Sequence, residues 1–270
     1  MKMFGVKEGT LTIPAGKVDY ICFGKGKKPL VLLQGLNTRG IWGAGLGLAW
    51  MYRCFGKDYR VWLFDRRANL PEEITVRELA ADTAAAMAAV GIQGAHILGV
   101  SQGGMIAQYL AIEHPDLVEK LVLAVTAYET NETIADSIQT WVSMTEAGDW
   151  KGLVADMTER MYSAEYAKRY TPLLPLLTLL QKPKDPNRFL TLARACLTCD
   201  TTDLLVQLRC PVMVIGGAND LVVGGHTAEE LARKLDCPLY LYENLGHAAY
   251  EEAPDFNSRV LAFFQNETQR

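Results

Sequence analysis

The chain has 270 residues, 49% of them hydrophobic and 21% charged, with a formal net charge of −4. That length suits one large α/β domain, or two small ones, able to bury roughly three quarters of its unfolded surface, so a full core is possible without disulfide or metal staples. The lack of a basic excess argues against nucleic acid or an anionic membrane as the main partner.

The start, MKMFGVKEGTLTIPAGK, has no uninterrupted apolar core of the secretory kind, and no stretch is long and apolar enough to span a bilayer. The expectation is a cytoplasmic protein. Cys22, Cys54, Cys196, Cys199, Cys210 and Cys237 are scattered through apolar or strand-like surroundings and read as reduced core thiols. Cys196 and Cys199 form the one close pair, with no second pair or histidines at ligand spacing, so they read as helix packing and not as a zinc or redox site.

Residues 10–14, 18–23 and 30–34 read as three strands, the first two joined as a hairpin and the third, Leu30-Val31-Leu32-Leu33, wholly apolar as a strand covered on both faces would be. A Gly-rich loop follows. Gly43, Gly45 and Gly47 imitate a dinucleotide fingerprint only loosely, and Trp42 and Leu46 among them look like packing. Residues 59–64 form the next strand, and Thr75-Val76-Arg77-Glu78 is a capping box that starts an alanine-rich helix running to Val90.

Ile97-Leu98-Gly99-Val100 and residues 121–125 are further apolar strands with a helical pattern between them, ended by His114-Pro115. From 129 to 198 the rhythm becomes helical throughout, with Trp141, Met144, Trp150, Leu153, Met157, Met161, Tyr162 and Tyr166 at helical spacings. This is read as a helical insertion folded over a sheet built from residues 1–128 and 199–270. Strands at 211–215 and 238–242 then alternate with helices at 227–235 and 255–264. The alternation marks a mostly parallel, doubly wound α/β sheet.

Gly99-Val100-Ser101-Gln102-Gly103 fits G-x-S-x-G, a turn that holds a serine in strained backbone between strand and helix. A Cβ at either glycine would crowd the neighbouring strand or helix. A serine hydroxyl is a poor nucleophile near neutral pH, so it needs a base in reach and a third group to fix that base. Asp220 follows a buried strand and His247 the next strand, each at the strand end where open parallel sheets place ligand-facing groups. Asp200 and Asp203 precede their strand and are weaker choices, and His96 and His226 are the other histidines to weigh, His114 being explained by the helix end. A base of this kind must be neutral to accept the proton, so activity should climb with pH through roughly 6 to 7.5.

In these motifs, together with the runs 211–220 and Asn244-Leu245-Gly246-His247-Ala248, the chain resembles the α/β-hydrolase family over nearly its whole length. The resemblance implies Ser101 as nucleophile, His247 as general base and then acid, Asp220 as the orienting carboxylate, and the 129–198 insertion as a lid. It assigns the oxyanion donors to the backbone N–H groups of Leu36 and Gln102. Two departures stand out: Gln34-Gly35 where relatives usually have His-Gly, and Asp65-Arg66-Arg67-Ala68 where they have D-x-R-G.

Gln34, Asn37 and Trp42 of the first loop, with Trp141 and Met144 of the insertion, are the candidate substrate contacts. The expected function is hydrolysis of a small carboxylic ester through an acyl-enzyme, without metal or organic cofactor and with a small molecule as partner; self-association is left open. The alternatives are carbon–carbon bond hydrolysis or acyl transfer on the same triad, or a non-catalytic small-molecule receptor. A wide apolar cavity would suit medium acyl esters, whereas one presenting Arg39 or Arg66 would suit a carboxylated substrate.

Overall fold

Strands without a polar face need cover on both sides, and the chain supplies it. The computed structural model describes residues 5–266, so the first four residues of the start that reads as lacking a secretory core lie outside the described residues. One eight-stranded sheet is built from β1 (Lys7–Ile13), β2 (Gly16–Phe23), β3 (Lys28–Leu33), β4 (Tyr59–Phe64), β5 (Ala95–Val100), β6 (Val118–Ala124), β7 (Val212–Gly217) and β8 (Leu239–Tyr242). Their order is β1-β2-β4-β3-β5-β6-β7-β8. β1 and β2 form the hairpin, β2 runs antiparallel to β4, and the pairings from β4 through β8 are parallel.

Alternation along each central strand divides the core in two. Val31 and Leu33 of β3 join Ile97, Leu121 and Leu123 on one face. Leu30 and Leu32 join Leu98, Val122 and Ile215 on the other. The first face is covered by α2 (Val76–Ala89), α3 (Gln102–Glu113) and α9 (Thr227–Leu235), the second by α1 (Gly45–Met51) and α11 (Phe256–Gln265). Truncating a fully buried side chain such as Leu32 to alanine should cost about 2 to 5 kcal/mol.

Local signals set several boundaries. Thr75 caps α2 reciprocally with Glu78, and Asn131, Asp149, Ser163 and Asp185 each accept a backbone N–H at a helix start. Those last four open α4 (Glu132–Glu146), α5 (Trp150–Met161), α6 (Ala164–Tyr170) and α8 (Pro186–Cys196); α7 (Leu174–Gln181) lies between the last two. All five helices stand between β6 and β7. Their ends meet: Thr130 N donates to Cys199 O at 3.0 Å and Thr201 N to Tyr128 O at 2.7 Å, beside a single bridge between Glu129 and Asp200.

The Gly-rich stretch differs from its reading as a loop. Residues 45–51 are helical, and the N–H groups of Gly43 and Gly45 donate to the Glu8 carboxylate at 2.8 and 2.9 Å. An anion brought from β1 thus does the capping that no nearby side chain could. Trp42 and Leu46 are not packing residues, being 63% and 61% exposed. Cys54 is exposed too, unlike the buried Cys22, Cys196 and Cys199. No helix among the described residues is long and apolar enough to cross a membrane.

Candidate active site

Ser101 is the single residue between β5 and α3, with φ 54° and ψ −122°, a backbone state that a side-chain-bearing residue adopts only under constraint. The constraint is visible. Ser101 N donates to Ala124 O at 2.9 Å and Thr126 Oγ1 to Ser101 O at 2.7 Å, tying the turn to the end of β6. A Cβ on Gly99 would lie 2.6 Å from Gly103 O, and one on Gly103 would collide with the Leu33 carbonyl. Strand and helix can meet this closely only through glycine.

The Ser101 hydroxyl makes no cap bond to α3 and faces His247 instead: Nε2 stands 2.9 Å from Oγ. His247 Nδ1 is 2.8 Å from Asp220 Oδ2, while Asp220 Oδ1 accepts the N–H groups of Val222 and Val223 at 2.8 and 2.9 Å. Both residues are buried, His247 at 3% and Asp220 at 4% exposure. The two loops that carry them are laced together, since Asn219 N donates to Leu245 O at 3.0 Å. Ala248 N donates to Met161 O at 2.7 Å, which fixes the histidine loop against α5.

His96 lies near the opposite end of β5 from Ser101, beside Tyr59, and Asp200 sits at the neck of the helical segment. Neither reaches the serine. The loop after β3 passes over it so closely that a Cβ on Gly35 would stand 3.1 Å from Ser101 Cβ. Leu36 is the next residue of that loop. Gln102 is the first residue of α3, where a backbone N–H has no intrahelical acceptor.

Beside the serine opens a cavity of about 290 Å³, lined by Gln34, Leu36, Asn37, Val100, Met161 and Glu251 among others. Of the candidate substrate contacts, Gln34 and Asn37 line it. The other three candidate contacts do not: Trp42 is on the surface, Trp141 is 3% exposed with Nε1 bonded to Asp156 Oδ1 at 2.8 Å, and Met144 packs on the core. For Trp141 and Met144 the reason is that helical periodicity marks a buried stripe without saying whether it faces core or cavity.

Tyr52, Met157, Tyr162 and Tyr250 are among the lining residues that the sequence does not mark as substrate contacts. Tyr250 and Glu251 follow His247 by three and four residues on the short helix α10 (Ala249–Glu252), and that spacing was the available signal. Tyr162 donates to Glu251 Oε2 at 2.6 Å. Burial, then the Glu251 carboxylate, pushes the Tyr52, Tyr162 and Tyr250 phenols up, so they stay neutral hydrogen-bonding groups. Among the described residues no lysine or arginine lines this cavity; Arg39 turns to Leu180 O at 2.6 Å and Arg66 lies behind the loop. Among the described residues no group of three or more His, Cys, Asp or Glu is arranged to hold a metal ion.

Residues 28–173, more than half of the chain, match the family model described as alpha/beta hydrolase fold. The protein named "Putative carbamate hydrolase RutD" from Caulobacter sp. (strain K31) is 26% identical over 240 residues, covering 85% of this chain and 90% of its own. Its namesake from Escherichia coli O81 (strain ED1a) is 25% identical over 244 residues, covering 86% and 89%. Among solved structures, the alpha/beta hydrolase MGS-M2 from a Medee basin deep-sea metagenome library superposes with a TM-score of 0.84 at 20% identity, covering 97% of this chain and 99% of its own. The enol-lactonase from Burkholderia xenovorans LB400 does so with a TM-score of 0.81 at 20% identity, covering 96% and 100%. At such identities the superpositions establish the fold alone.

Proposed function

The chain belongs to the alpha/beta hydrolase fold family, and from that premise we propose that it is a serine hydrolase acting on a small, uncharged carboxylic ester through an acyl-enzyme. One observation carries the reading: hydroxyl, imidazole and carboxylate stand in line, 2.9 and 2.8 Å apart, with the carboxylate held by two backbone N–H groups. Ser101 Oγ attacks the acyl carbon while His247 Nε2 takes its proton, and Asp220 steadies the imidazolium. The oxyanion is met by the N–H groups of Leu36 and Gln102. His247 then gives the proton to the departing alcohol, and water, deprotonated by the same nitrogen, releases the acid and restores Ser101.

The cavity supports the substrate class. Its size suits a short to medium acyl group, and Glu251, the one charged lining residue among the described residues, disfavours a second carboxylate. The 129–198 segment, which contributes Met157, Met161 and Tyr162 to the lining, serves as the lid. A carbamate, the substrate class in the RutD name, is a second reading favoured by the amide and hydroxyl groups of Gln34, Asn37, Thr38 and Thr158 along the wall. An activity-based fluorophosphonate should label the protein at Ser101, and aryl acetate and butyrate should turn over. Labelling elsewhere, or undiminished turnover by Ser101→Ala, would overturn the proposal; faster release from an aryl carbamate than from the matched ester would select the second reading.

A further inference from the structure

Arg66 occupies the first loop after β4, at the unspecified position of the D-x-R-G-like turn, and its side chain is 6% exposed. Its Nη2 donates to two acceptors, Gln34 O at 2.6 Å and Gln102 Oε1 at 3.1 Å. Gln34 opens the loop that carries Leu36, and Gln102 opens α3. A single nitrogen therefore joins the two chain segments whose backbone N–H groups meet the oxyanion in the mechanism above.

The far side of the joint is equally fixed. Gln102 Nε2 donates to Leu192 O at 2.7 Å and to Cys196 Sγ at 3.2 Å on α8, so its amide oxygen can point only at the arginine. The neighbouring Asp65 carboxylate attracts the guanidinium without bonding it, because its oxygens accept from Arg188 Nη2 at 3.0 Å and from the N–H groups of Arg66 and Ile41 at 2.8 and 3.2 Å. Arg66 Nε is buried without a protein acceptor. Burying a cation on neutral oxygens is costly, and an apolar side chain would fill the space more cheaply. Burial lowers the Arg66 pKa to about 10, which leaves the group charged at neutral pH.

We propose that Arg66 is a positioning residue that locks the Leu36 loop to the Gln102 helix start, so that the two halves of the oxyanion hole keep one fixed spacing. This inference rests on the serine-hydrolase reading. Preorganisation is what makes such donors effective, because nothing need reorganise as charge develops, and tolerances in sites of this kind are about 0.5 Å. Without the guanidinium, Gln34 O and Gln102 Oε1 lose a shared donor, and the loop is free to shift relative to the helix. The fixed positive charge also favours the anionic intermediate over the neutral ester.

The test compares wild type with Arg66→Met and Arg66→Lys. For Arg66→Met, kcat on an aryl ester should fall about 10²-fold with KM within about twofold, the size of losing one oxyanion donor. Affinity for a trifluoromethyl ketone, which forms a hemiketal oxyanion on the serine, should fall in parallel, while binding of the matching unreactive alcohol stays unchanged. Arg66→Lys, which keeps a cation with fewer donors, should recover about a tenth of wild-type kcat. A purely structural role would lower the melting temperature without this split. Wild-type kcat and ketone affinity in either variant, or equal losses for ketone and alcohol, would overturn the inference, and Arg66→Lys decides the matter should Arg66→Met not fold. A wild-type protein that neither reacts with a fluorophosphonate nor binds the ketone overturns the underlying reading; a reactive wild type beside an equally reactive Arg66→Met overturns only the role of Arg66.

Discussion

Two buried histidines stand toward opposite ends of the sheet, and each has a hydroxyl on one nitrogen and a carboxylate on the other. His247 lies between Ser101 at 2.9 Å and Asp220 at 2.8 Å; His96 lies between Tyr59 at 3.1 Å and Glu119 at 3.4 Å. Their surroundings separate them. Asp220 is 4% exposed and anchored by two backbone N–H groups, whereas the Glu119 side chain is 50% exposed and shared with Lys28. Ser101 opens a helix at a strained turn, while Tyr59 is a strand residue whose phenol burial pushes up to about 12. Burial, with Lys28 nearby, lowers the His96 pKa to about 4, so that ring stays neutral and structural at physiological pH. A hydroxyl, an imidazole and a carboxylate in sequence make a reactive site only where the carboxylate is fixed and donors await the developing charge.

The contrast can be broken at several points. Ser101→Ala should lower ester turnover on the order of 10⁵-fold, whereas Tyr59→Phe should leave it within about twofold; steady-state kinetics on one aryl ester compares them. Next in size, Asp220→Asn should cost about 10⁴-fold in kcat by releasing the imidazole orientation, with Glu119→Gln nearly silent. An equal effect of the two carboxylate changes would mean that the two histidines do not differ in kind.

Smaller effects sharpen it. A hemisuccinate aryl ester should be a poorer substrate than the neutral butyrate, and Glu251→Gln should raise its relative kcat/KM by about tenfold, a modest gain because the carboxylate is exposed. The last test is of stability. His96 titrates near 4 in the fold against 6.5 unfolded, so between those values the unfolded chain binds more protons. Its contribution is therefore complete above pH 6.5 and is lost as pH falls toward 4, on the order of 2 to 3 kcal/mol. Chemical denaturation across that range should show His96→Phe with a flatter pH dependence than wild type and unchanged kcat at pH 8.

What could be read in the residues follows from how locally each feature is determined. The Thr75–Glu78 box placed the start of α2, and the acidic first turn and basic last turn of residues 227–235 accompany α9 with the bounds expected. The elbow was legible because two glycines and a serine meet a steric demand within five residues. α1 was not, because the carboxylate that caps it comes from Glu8, far back in the chain. The cavity wall was only half legible, since Trp141 and Met157 share the same helical rhythm yet one faces the core and the other the cavity. The Arg66 joint left no trace in the pattern at all: it depends on a strand-end loop, a helix start and α8 converging.

The five helices between β6 and β7 leave and rejoin the sheet through one doorway, where Tyr128 to Thr130 runs beside Cys199 to Thr201 with backbone bonds across it. Whatever chain lies beyond that doorway, its two ends remain the same short step apart. The same five helices reach back to the site beyond that doorway, since Met161 O accepts from Ala248 N beside His247 and Leu192 O from the Gln102 amide; an exchanged cassette would leave the strand register alone, yet would have to supply those two acceptors again.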